Sequence, residues 1–288
     1  MPQDAVDELV RLLDLEPIEV NIFRGRSPDE DRQRIFGGQV AGQALVAAAR
    51  TVPDDRQVHS LHAYFLRAGD PKVPVLYEVD RPRDGGSFTT RGVAAIQHGR
   101  VIFNMAASFQ VPEVGYDHAF AMPDVPPPEG LPTLRERLEK AGVPLTPWLS
   151  RPRPIDIRHV DPGGVATTPE ERSRPLEPRH DVWLRADGRL PDDPIVHTVV
   201  LTYASDMTLL DTATLPHGPG WFDPNLFMAS LDHAIWFHRP FRADDWLLYA
   251  QDSPTAVGGR GLSRGLVFGR DGTLVATVVQ EGLIRRLR

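Results

Sequence analysis

Asp206 is the residue of this sequence that could most directly do chemistry. The chain repeats itself at an offset of about 172 residues, as three residue pairs with equal internal spacing show: Phe65 and Phe237, Arg67 and Arg239, Tyr77 and Tyr249. Such a repeat is typical of a duplicated domain, and a duplication doubles every potential site. The two copies differ most at Asp206, where the second copy has a carboxylate that the first lacks. Because a carboxylate can accept a proton as a general base, we expect the chemistry at this position.

The sequence around Asp206 also allows a purely structural role. Asp206 follows a long apolar stretch that is predicted as a strand, and it is predicted to open a helix. Ser205 and Asp206 are residue types that cap a helix N-terminus, which is the simpler interpretation. In the catalytic interpretation, the free N–H groups and the dipole of the first turn favour the ionised carboxylate that a base needs. The matching position in the first copy falls in or near Gly37-Gly38-Gln39, so we expect one competent site per chain.

Composition excludes several classes of function. The 288 residues are 41% hydrophobic and 25% charged, which predicts a folded chain with one large core or two smaller ones. The absence of cysteine excludes a disulfide framework, a thiol nucleophile and a cysteine-ligated metal. A net charge of −7 without a long basic stretch gives no footprint for nucleic acid. No apolar run could span a bilayer and the acidic N-terminus is unlike a signal peptide, so we expect a cytoplasmic protein.

The first half of the sequence predicts a buried helix followed by strands. Residues 4–14 have an amphipathic helical stripe, and residues 18–23 alternate like a strand. Residues 39–52 read as a helix of small side chains with no charge before Arg50, so other elements must enclose it. Four strands are predicted after this helix, the last two joined by a His98-Gly99 turn: 59–66, 73–79, 87–97 and 100–110.

The second half predicts the same order of elements. Residues 195–204 are predicted as a strand, and a helix is predicted from Asp206 to about Ala213. Four further strands follow, the last two joined by the hairpin turn Arg270-Asp271-Gly272: 234–237, 246–252, 261–269 and 273–282. A buried helix and antiparallel strands, found twice, predict an α+β fold of two long sheets, each curled round its own helix.

A proline-rich segment separates the two copies. Residues 112–175 include Pro126-Pro127-Pro128 and one short helical candidate at 134–141, which is typical of a surface connector. We therefore divide the chain into an N-terminal unit at 1–115, a connector at 116–175 and a C-terminal unit at 176–288. Strands and helices do not alternate, and Gly37-Gly38 lacks the lysine and glycine spacing of a phosphate loop. A nucleotide-binding, doubly wound parallel sheet is therefore not predicted.

Six motifs occur in order along the chain: Phe36-Gly37-Gly38-Gln39, His59-Ser60-Leu61-His62-Ala63-Tyr64-Phe65, Arg83-Asp84-Gly85-Gly86-Ser87-Phe88, Ala204-Ser205-Asp206, Leu231-Asp232-His233 with Trp236-Phe237-His238-Arg239-Pro240, and Val279-Gln280-Glu281-Gly282. Together they resemble the acyl-CoA thioesterase II family, over nearly the whole chain outside the connector. The resemblance implies a double hotdog, two tandem hotdog domains that hydrolyse fatty acyl-CoA thioesters in fatty acid metabolism. It further implies an acyl-CoA substrate, no metal or other cofactor, and a homo-oligomer, either a dimer or a tetramer.

The resemblance also implies which residues hold the attacking water. The family's Asp, its Thr or Ser, and its Gln fall on Asp206, Ser230 and Gln280. Asp206 would accept a proton from a water that attacks the thioester carbonyl. The hydroxyl of Ser230 and the amide of Gln280 offer donors and acceptors that would orient this water. Ser230 stands where family members often have threonine, and since it keeps the hydroxyl we expect its role to survive.

Four further residues are candidates for binding the substrate or supporting the catalytic residues: Gly38, Gln39, His62 and His233. A backbone N–H group at Gly38 would hold the oxyanion that develops during attack. His62 and His233 lie in or beside predicted strands. There a histidine beside aromatic residues is more often a hydrogen-bonded core residue than a general base.

Two other functions remain open alongside hydrolysis. A hotdog lyase that hydrates enoyl-CoA would need an aspartate and a histidine close together at the helix start, and His217 lies eleven residues beyond Asp206. A non-catalytic acyl-CoA-binding protein would keep the pocket without needing the water-holding side chains. The joint presence of Asp206, Ser230 and Gln280 favours hydrolysis over both.

Overall fold

The structure, a computed structural model, describes residues 2–28, 33–140, 142, 151–160, 174–218 and 225–287. The α-helices in these ranges are α1 (Pro2–Leu13), α2 (Gly37–Ala49), α3 (Leu134–Lys140) and α4 (Pro194–Ser205). Short 3-10 helices lie at Pro128–Gly130 and Leu210–His217. The strands are β1 (Glu16–Glu19), β2 (Ile22–Gly25), β3 (Gln57–Phe65), β4 (Val75–Asp84), β5 (Phe88–Gln97), β6 (Arg100–Gln110), β7 (Ile155–His159), β8 (Arg179–Ala186), β9 (Leu226–Ser230), β10 (Asp232–Phe237), β11 (Leu247–Val257), β12 (Arg260–Gly269) and β13 (Leu274–Arg286).

The strands of the described ranges form one antiparallel sheet across both copies. Their order is β1-β2-β4-β5-β6-β3-β10-β13-β12-β11-β8-β7, and β9 also pairs with β13. Each copy has a helix followed by the same succession of long strands, α2 with β3 to β6 and α4 with β10 to β13. The copies join where β3 pairs with β10, with Leu61 opposite Ile235. The predicted α+β double hotdog is confirmed, and its two sheets meet edge to edge.

Helices α2 and α4 pack side by side in opposite directions. A Cβ atom added to Gly38 would lie 2.3 Å from the carbonyl oxygen of Tyr203, and one added to Gly42 would lie 3.5 Å from that of Val199. Gly38 and Gly42 are one helical turn apart, so the missing side chains let the two backbones approach closely. Most of α2 is buried, as predicted from its small residues. The C-terminus of α4 therefore lies beside the N-terminus of α2.

Three predicted elements of secondary structure are wrong. The strand predicted at 18–23 is a hairpin, in which β1 and β2 are separated by a turn with Asn21 at φ 63°. The strand predicted at 195–204 is helix α4, which begins with Pro194. Asp193 is its N-cap residue, and the Asp193 side chain accepts a hydrogen bond from the N–H of Ile195. The helix predicted from Asp206 is a turn followed by the 3-10 helix Leu210–His217.

The connector packs against the outer face of the C-terminal part of the sheet. Strand β7 pairs with β8, so part of the predicted connector belongs to the sheet itself. An apolar cluster that contains Trp183 and Trp246 is covered by Met122, Val125 and Leu131 of the connector. Helix α3 confirms the short helix predicted at 134–141, except for residue 141, which lies outside the described residues together with 143–150 and 161–173. The unit boundaries near residues 115 and 175 remain predictions.

Within the described ranges, the helices lack the length and apolar character that crossing a membrane requires.

Candidate active site

Asp206 lies between the ends of the two central helices. It is the C-cap residue of α4, so the prediction that it sits in the first turn of its own helix is wrong. The N-terminus beside it is that of α2, whose Gly38 N–H donates a hydrogen bond to the Asp206 carboxylate. A Cβ atom added to Gly37 would lie 2.7 Å from Oδ2 of Asp206. The helix end that favours an ionised carboxylate therefore comes from the first copy.

Ser230 and Gln280 converge on the same carboxylate oxygen. Gln280 Nε2 donates to Asp206 Oδ1 at 2.6 Å and to Ser230 Oγ at 2.9 Å. The Ser230 hydroxyl donates to Asp206 Oδ1 at 3.3 Å. Gln280 is completely buried in β13, whereas Asp206 and Ser230 line a cavity. The structure thus brings together the three residues that the resemblance assigned to holding a water.

Close packing around β13 fixes the carboxylate relative to the other two side chains. Ser230, the last residue of β9, pairs with Gly282 of β13. A Cβ atom on Gly282 would lie 2.3 Å from Leu210, at the start of the 3-10 helix that follows Asp206. Only a glycine lets the segment after Asp206 pack this closely against the strand that contains Gln280.

Burial controls the protonation of Asp206. It raises the pKa of the Asp206 carboxyl to about 6, because water cannot solvate the charged form fully. Hydrogen bonds from Gln280, Gly38 and Ser230, in this order of size, act in the opposite direction. The carboxylate is therefore mostly ionised at neutral pH and still basic enough to accept a proton.

The cavity next to Asp206 has a volume of about 1280 Å³. Its walls are largely apolar, and both copies contribute to them. The apolar wall residues are Leu9, Leu12, Ile35, Phe36, Val40, Phe65, Ile102, Phe103, Tyr203, Met207 and Leu210. Arginines also line it: Arg11, Arg34, Arg67, Arg151 and Arg153. The sequence reasoning missed these wall residues, since nothing in their spacing separates a cavity wall from ordinary core. An apolar chamber with cationic groups fits a ligand that has both a hydrocarbon and an anionic part.

The four supporting candidates lie in different environments. The Gly38 N–H donates to the Asp206 carboxylate, and its role as an oxyanion donor stays a prediction. Gln39 lines the cavity and donates to the Arg26 carbonyl oxygen at 3.0 Å. His62 is exposed on the outer face of the sheet beside Trp236 and does not join the site.

His233 is the fourth candidate, and it lies behind the site. It is completely buried, and its Nε2 is 2.8 Å from Ser205 Oγ. Burial lowers the pKa of His233 to about 4, which keeps the ring neutral. His217 lines a different, smaller cavity near Arg260. In the described part of the chain, no group of three or more His, Asp or Glu side chains is placed to hold a metal ion.

A carboxylate held between antiparallel helices, inside one sheet that encloses both, defines a double-hotdog enzyme with a candidate hydrolytic site. Two family models match the chain: "Acyl-CoA thioesterase" over residues 165–283 and "Acyl-CoA thioesterase N-terminal domain" over residues 26–110. The chain belongs to the acyl-CoA thioesterase II family.

Full-length relatives support this membership. The chain is 46% identical to human acyl-coenzyme A thioesterase 8 over 300 residues, which cover 99% of the chain and 91% of the relative. It is 40% identical to acyl-CoA thioesterase 2 of Haemophilus influenzae, with 98% of both chains covered. The crystal structure of acyl-CoA thioesterase II TesB2 from Mycobacterium marinum is 48% identical and covers 98% of both chains, with a TM-score of 0.79.

Proposed function

We propose that this protein hydrolyses fatty acyl-CoA thioesters to free fatty acid and CoA, with Asp206 as the general base for an attacking water. The observation that supports the assignment most directly is that Gln280 and Ser230 both donate to one oxygen of Asp206, at the wall of an apolar cavity. A carboxylate has about four lone-pair sites, more than these hydrogen bonds occupy, so Asp206 can still accept a proton. The names of the relatives supply the substrate class.

The reaction needs only groups that the chain provides and a water. A water between Asp206 and Ser230 attacks the thioester carbonyl, and Asp206 takes its proton as the tetrahedral oxyanion forms. The C–S bond then breaks, the carbonyl re-forms, and the CoA thiolate leaves with the bonding electrons. The protonated Asp206 returns its proton to the thiolate, which restores the carboxylate. The N-terminus of α2 faces this centre, and its dipole stabilises the negative charge that develops.

The cavity also indicates how the substrate lies. The apolar walls near Phe36, Phe65 and Ile102 suit the acyl chain, because burying hydrocarbon there removes it from water. The guanidinium groups of Arg34 and Arg67 suit the phosphates of CoA, which bind cations with charge-assisted hydrogen bonds. Both kinds of group line the same cavity as Asp206, so an acyl-CoA bound there would have its thioester within reach of the carboxylate.

The homo-oligomer that the resemblance implies would use the outer face of the sheet at the junction of the copies. Tyr64 is 58% exposed there and stands opposite Asp232 in the β3–β10 pairing. His62 and Trp236 lie on the same face, with ring centroids 4.9 Å apart. An uncovered face of this kind is suited to packing against a second copy of the chain.

Thiol release from a series of acyl-CoA substrates tests the proposal. We expect release of free CoA from medium- to long-chain acyl-CoA without added metal, and the rate should persist in a chelator. Tight binding of acyl-CoA without thiol release would instead support the non-catalytic binding protein. The enoyl-CoA hydratase alternative lacks support, because no histidine of the described residues lines the cavity beside Asp206.

A further inference from the structure

His233 is a buried histidine that the proposed mechanism does not use. It lies in β10 on the inner face of the sheet and is completely enclosed. Its Nε2 lies 2.8 Å from the hydroxyl of Ser205, the residue immediately before Asp206. Because burial keeps the imidazole neutral, the ring has one N–H donor and one nitrogen acceptor. Which nitrogen has the proton decides what His233 can do.

Gln280 lies beside His233 on the neighbouring strand. The β10–β13 register places Ala234 opposite Val279, and one residue further along it brings His233 next to Gln280. Both side chains have 0% exposure, and each has one polar atom without a hydrogen-bond partner, Nδ1 of His233 and Oε1 of Gln280. Buried polar atoms in native proteins are nearly always paired. The two atoms are not hydrogen-bonded to each other in the structure, but they belong to side chains on adjacent strands, and an N–H group and an amide oxygen are complementary.

The hydroxyl of Ser205 selects between two arrangements. Its Oγ lies 3.0 Å from the carbonyl oxygen of Thr202 and 2.8 Å from Nε2 of His233, and it has one proton to donate. Donation to Thr202 leaves the ring proton on Nε2, and Nδ1 then has a lone pair and no proton to offer the amide oxygen of Gln280. Donation to His233 leaves the ring proton on Nδ1, which can then donate to Gln280 Oε1. Only the second arrangement matches a donor with an acceptor.

We propose that His233 is a positioning residue whose Nδ1–H group fixes the side-chain amide of Gln280, a role that rests on the hydrolytic function proposed above. Gln280 Nε2 donates to both Asp206 and Ser230. An amide turned by half a rotation would place its oxygen against the carboxylate, and the two oxygens would repel each other. A hydrogen bond from His233 to Oε1 opposes this rotation. His233 thereby holds the donors that aim the base and the hydroxyl at the water.

Two substitutions separate the donor from the bulk of the ring. His233→Asn keeps an N–H donor near the position of Nδ1, whereas His233→Leu removes both ring nitrogens and keeps an apolar side chain. We expect His233→Leu to lower kcat for thiol release between about tenfold and a hundredfold, the range for a misplaced catalytic group, with KM changed less than about twofold. His233→Asn should recover most of this loss. Equal loss in both variants, or wild-type rates in both, overturns the proposal.

A double-mutant cycle tests whether His233 acts through Gln280. In a Gln280→Met background, His233→Leu should lower kcat no further, because the amide that it positions is absent. Losses that simply multiply would show that His233 does not act through Gln280. Asp206→Asn serves as the reference in this series: a wild-type rate there rejects the hydrolytic mechanism itself, whereas loss there with an unaffected His233→Leu rejects only the positioning role.

Nitrogen NMR of the unmodified protein gives a readout that requires no variant to fold. The imidazole of a neutral histidine shows distinct nitrogen shifts for its two tautomers. We expect the His233 signal to be that of the Nδ1-protonated form at neutral pH. An Nε2-protonated ring would contradict the proposal whatever the variants do.

Discussion

The two copies of the repeat share one fold, yet they differ at the ends of their central helices. Helix α4 ends at a half-buried carboxylate, Asp206, which accepts hydrogen bonds from the other copy and from β13. Helix α2 ends at Arg50, which instead donates to the Leu15 carbonyl oxygen and pairs with Asp14 near the surface. The same position in the fold thus holds a half-buried acid in one copy and a surface cation in the other. The equivalent position predicted in or near Gly37-Gly38-Gln39 is wrong, because these residues lie at the start of α2, whereas Asp206 follows the end of α4.

The strands of the two copies differ in the same way. At the repeat offset, Ser230 corresponds to Val58. His62 and Ala234 are also equivalent, so their partners Ala106 and Val279 are equivalent, and Ala107 corresponds to Gln280. Val58 and Ala107 are both buried and apolar. The comparison teaches that both copies keep the same backbone arrangement, whereas only one copy has the polar side chains of the candidate site.

The first copy, which has no equivalent of the Asp206 carboxylate, still contributes to the site in the second copy. Gly38 at the N-terminus of α2 donates to Asp206, and Phe36, Phe65 and Ile102 form part of the cavity wall. The second half therefore supplies the candidate catalytic side chains, and the first half supplies a helix N-terminus and part of the cavity wall.

Separating the copies should abolish activity entirely. A first half of residues 1–115, expressed alone, lacks Asp206, Ser230 and Gln280, and it leaves the β3 edge without its β10 partner. Because an open strand edge pairs with other chains, we expect an aggregated or self-paired product in light scattering, with no thiol release. A well-behaved monomeric first half would mean that the copies are independent, and the shared sheet would not be needed for folding.

Substitution at the C-terminal ends of α4 and α2 should lower kcat in the first case and leave it nearly unchanged in the second. Asp206→Asn nearly preserves shape but removes the base, so kcat should fall at least about a hundredfold, the usual scale for loss of a general base. The matched control is Arg50→Gln at the end of α2. It should leave kcat within about twofold, since Arg50 lies at the surface and contacts none of the three candidate catalytic residues. Steady-state thiol release measures both, and a wild-type rate in the Asn variant would eliminate Asp206 as the base.

The pH profile should report the titration of Asp206. Its carboxyl has a pKa of about 6 and must be ionised to accept a proton, so activity is present above this pH and lost as pH falls through it. We expect kcat/KM to drop about tenfold per pH unit below the midpoint, as one required deprotonated group dictates. Arg50→Gln should keep the midpoint. A profile that stays flat to about pH 4.5 would show that burial does not set the protonation of the base.

Ligand stoichiometry distinguishes one binding site per chain from two, which is only a twofold difference. Titration with a non-hydrolysable acyl-CoA analogue should saturate near one equivalent per chain, because the two copies together line the cavity beside Asp206. Calorimetry measures this number directly. Saturation at two equivalents with similar affinity would show that the second copy also binds substrate, and the comparison would then separate binding from catalysis.

The sequence predicted the long strands of both copies, and the resemblance named three residues that the structure brings together, but the sequence misplaced α4. Residues 195–204 are rich in β-branched side chains, which favour a strand locally, and the packing of α4 against α2 outweighs this preference. A capping signal was present, because Asp193 followed by Pro194 is typical of a helix start. The true partner of the carboxylate, Gly38, is distant in sequence, and no local pattern reveals such a contact.

His62 and His233 show that a sequence motif does not reveal which face of a strand a residue occupies. His62 and His233 lie in similar motifs of the two copies, and the alternation of a strand decides which face each one occupies. His62 faces outward and His233 inward. A shift of one residue exchanges the two faces, so the motif alone could not show that only His233 lies behind the site.

The pairing of β3 with β10 has a consequence for how the protein is made. Ribosomes deliver the first copy long before β10 exists, so β3 and the Gly38 end of α2 must wait without their partners. During that interval the nascent chain presents an open edge and an uncovered helix to its surroundings. The second copy provides the strand that closes this edge, the helix that packs on α2 and the carboxylate that Gly38 binds. The candidate site therefore cannot be complete before the second copy has folded.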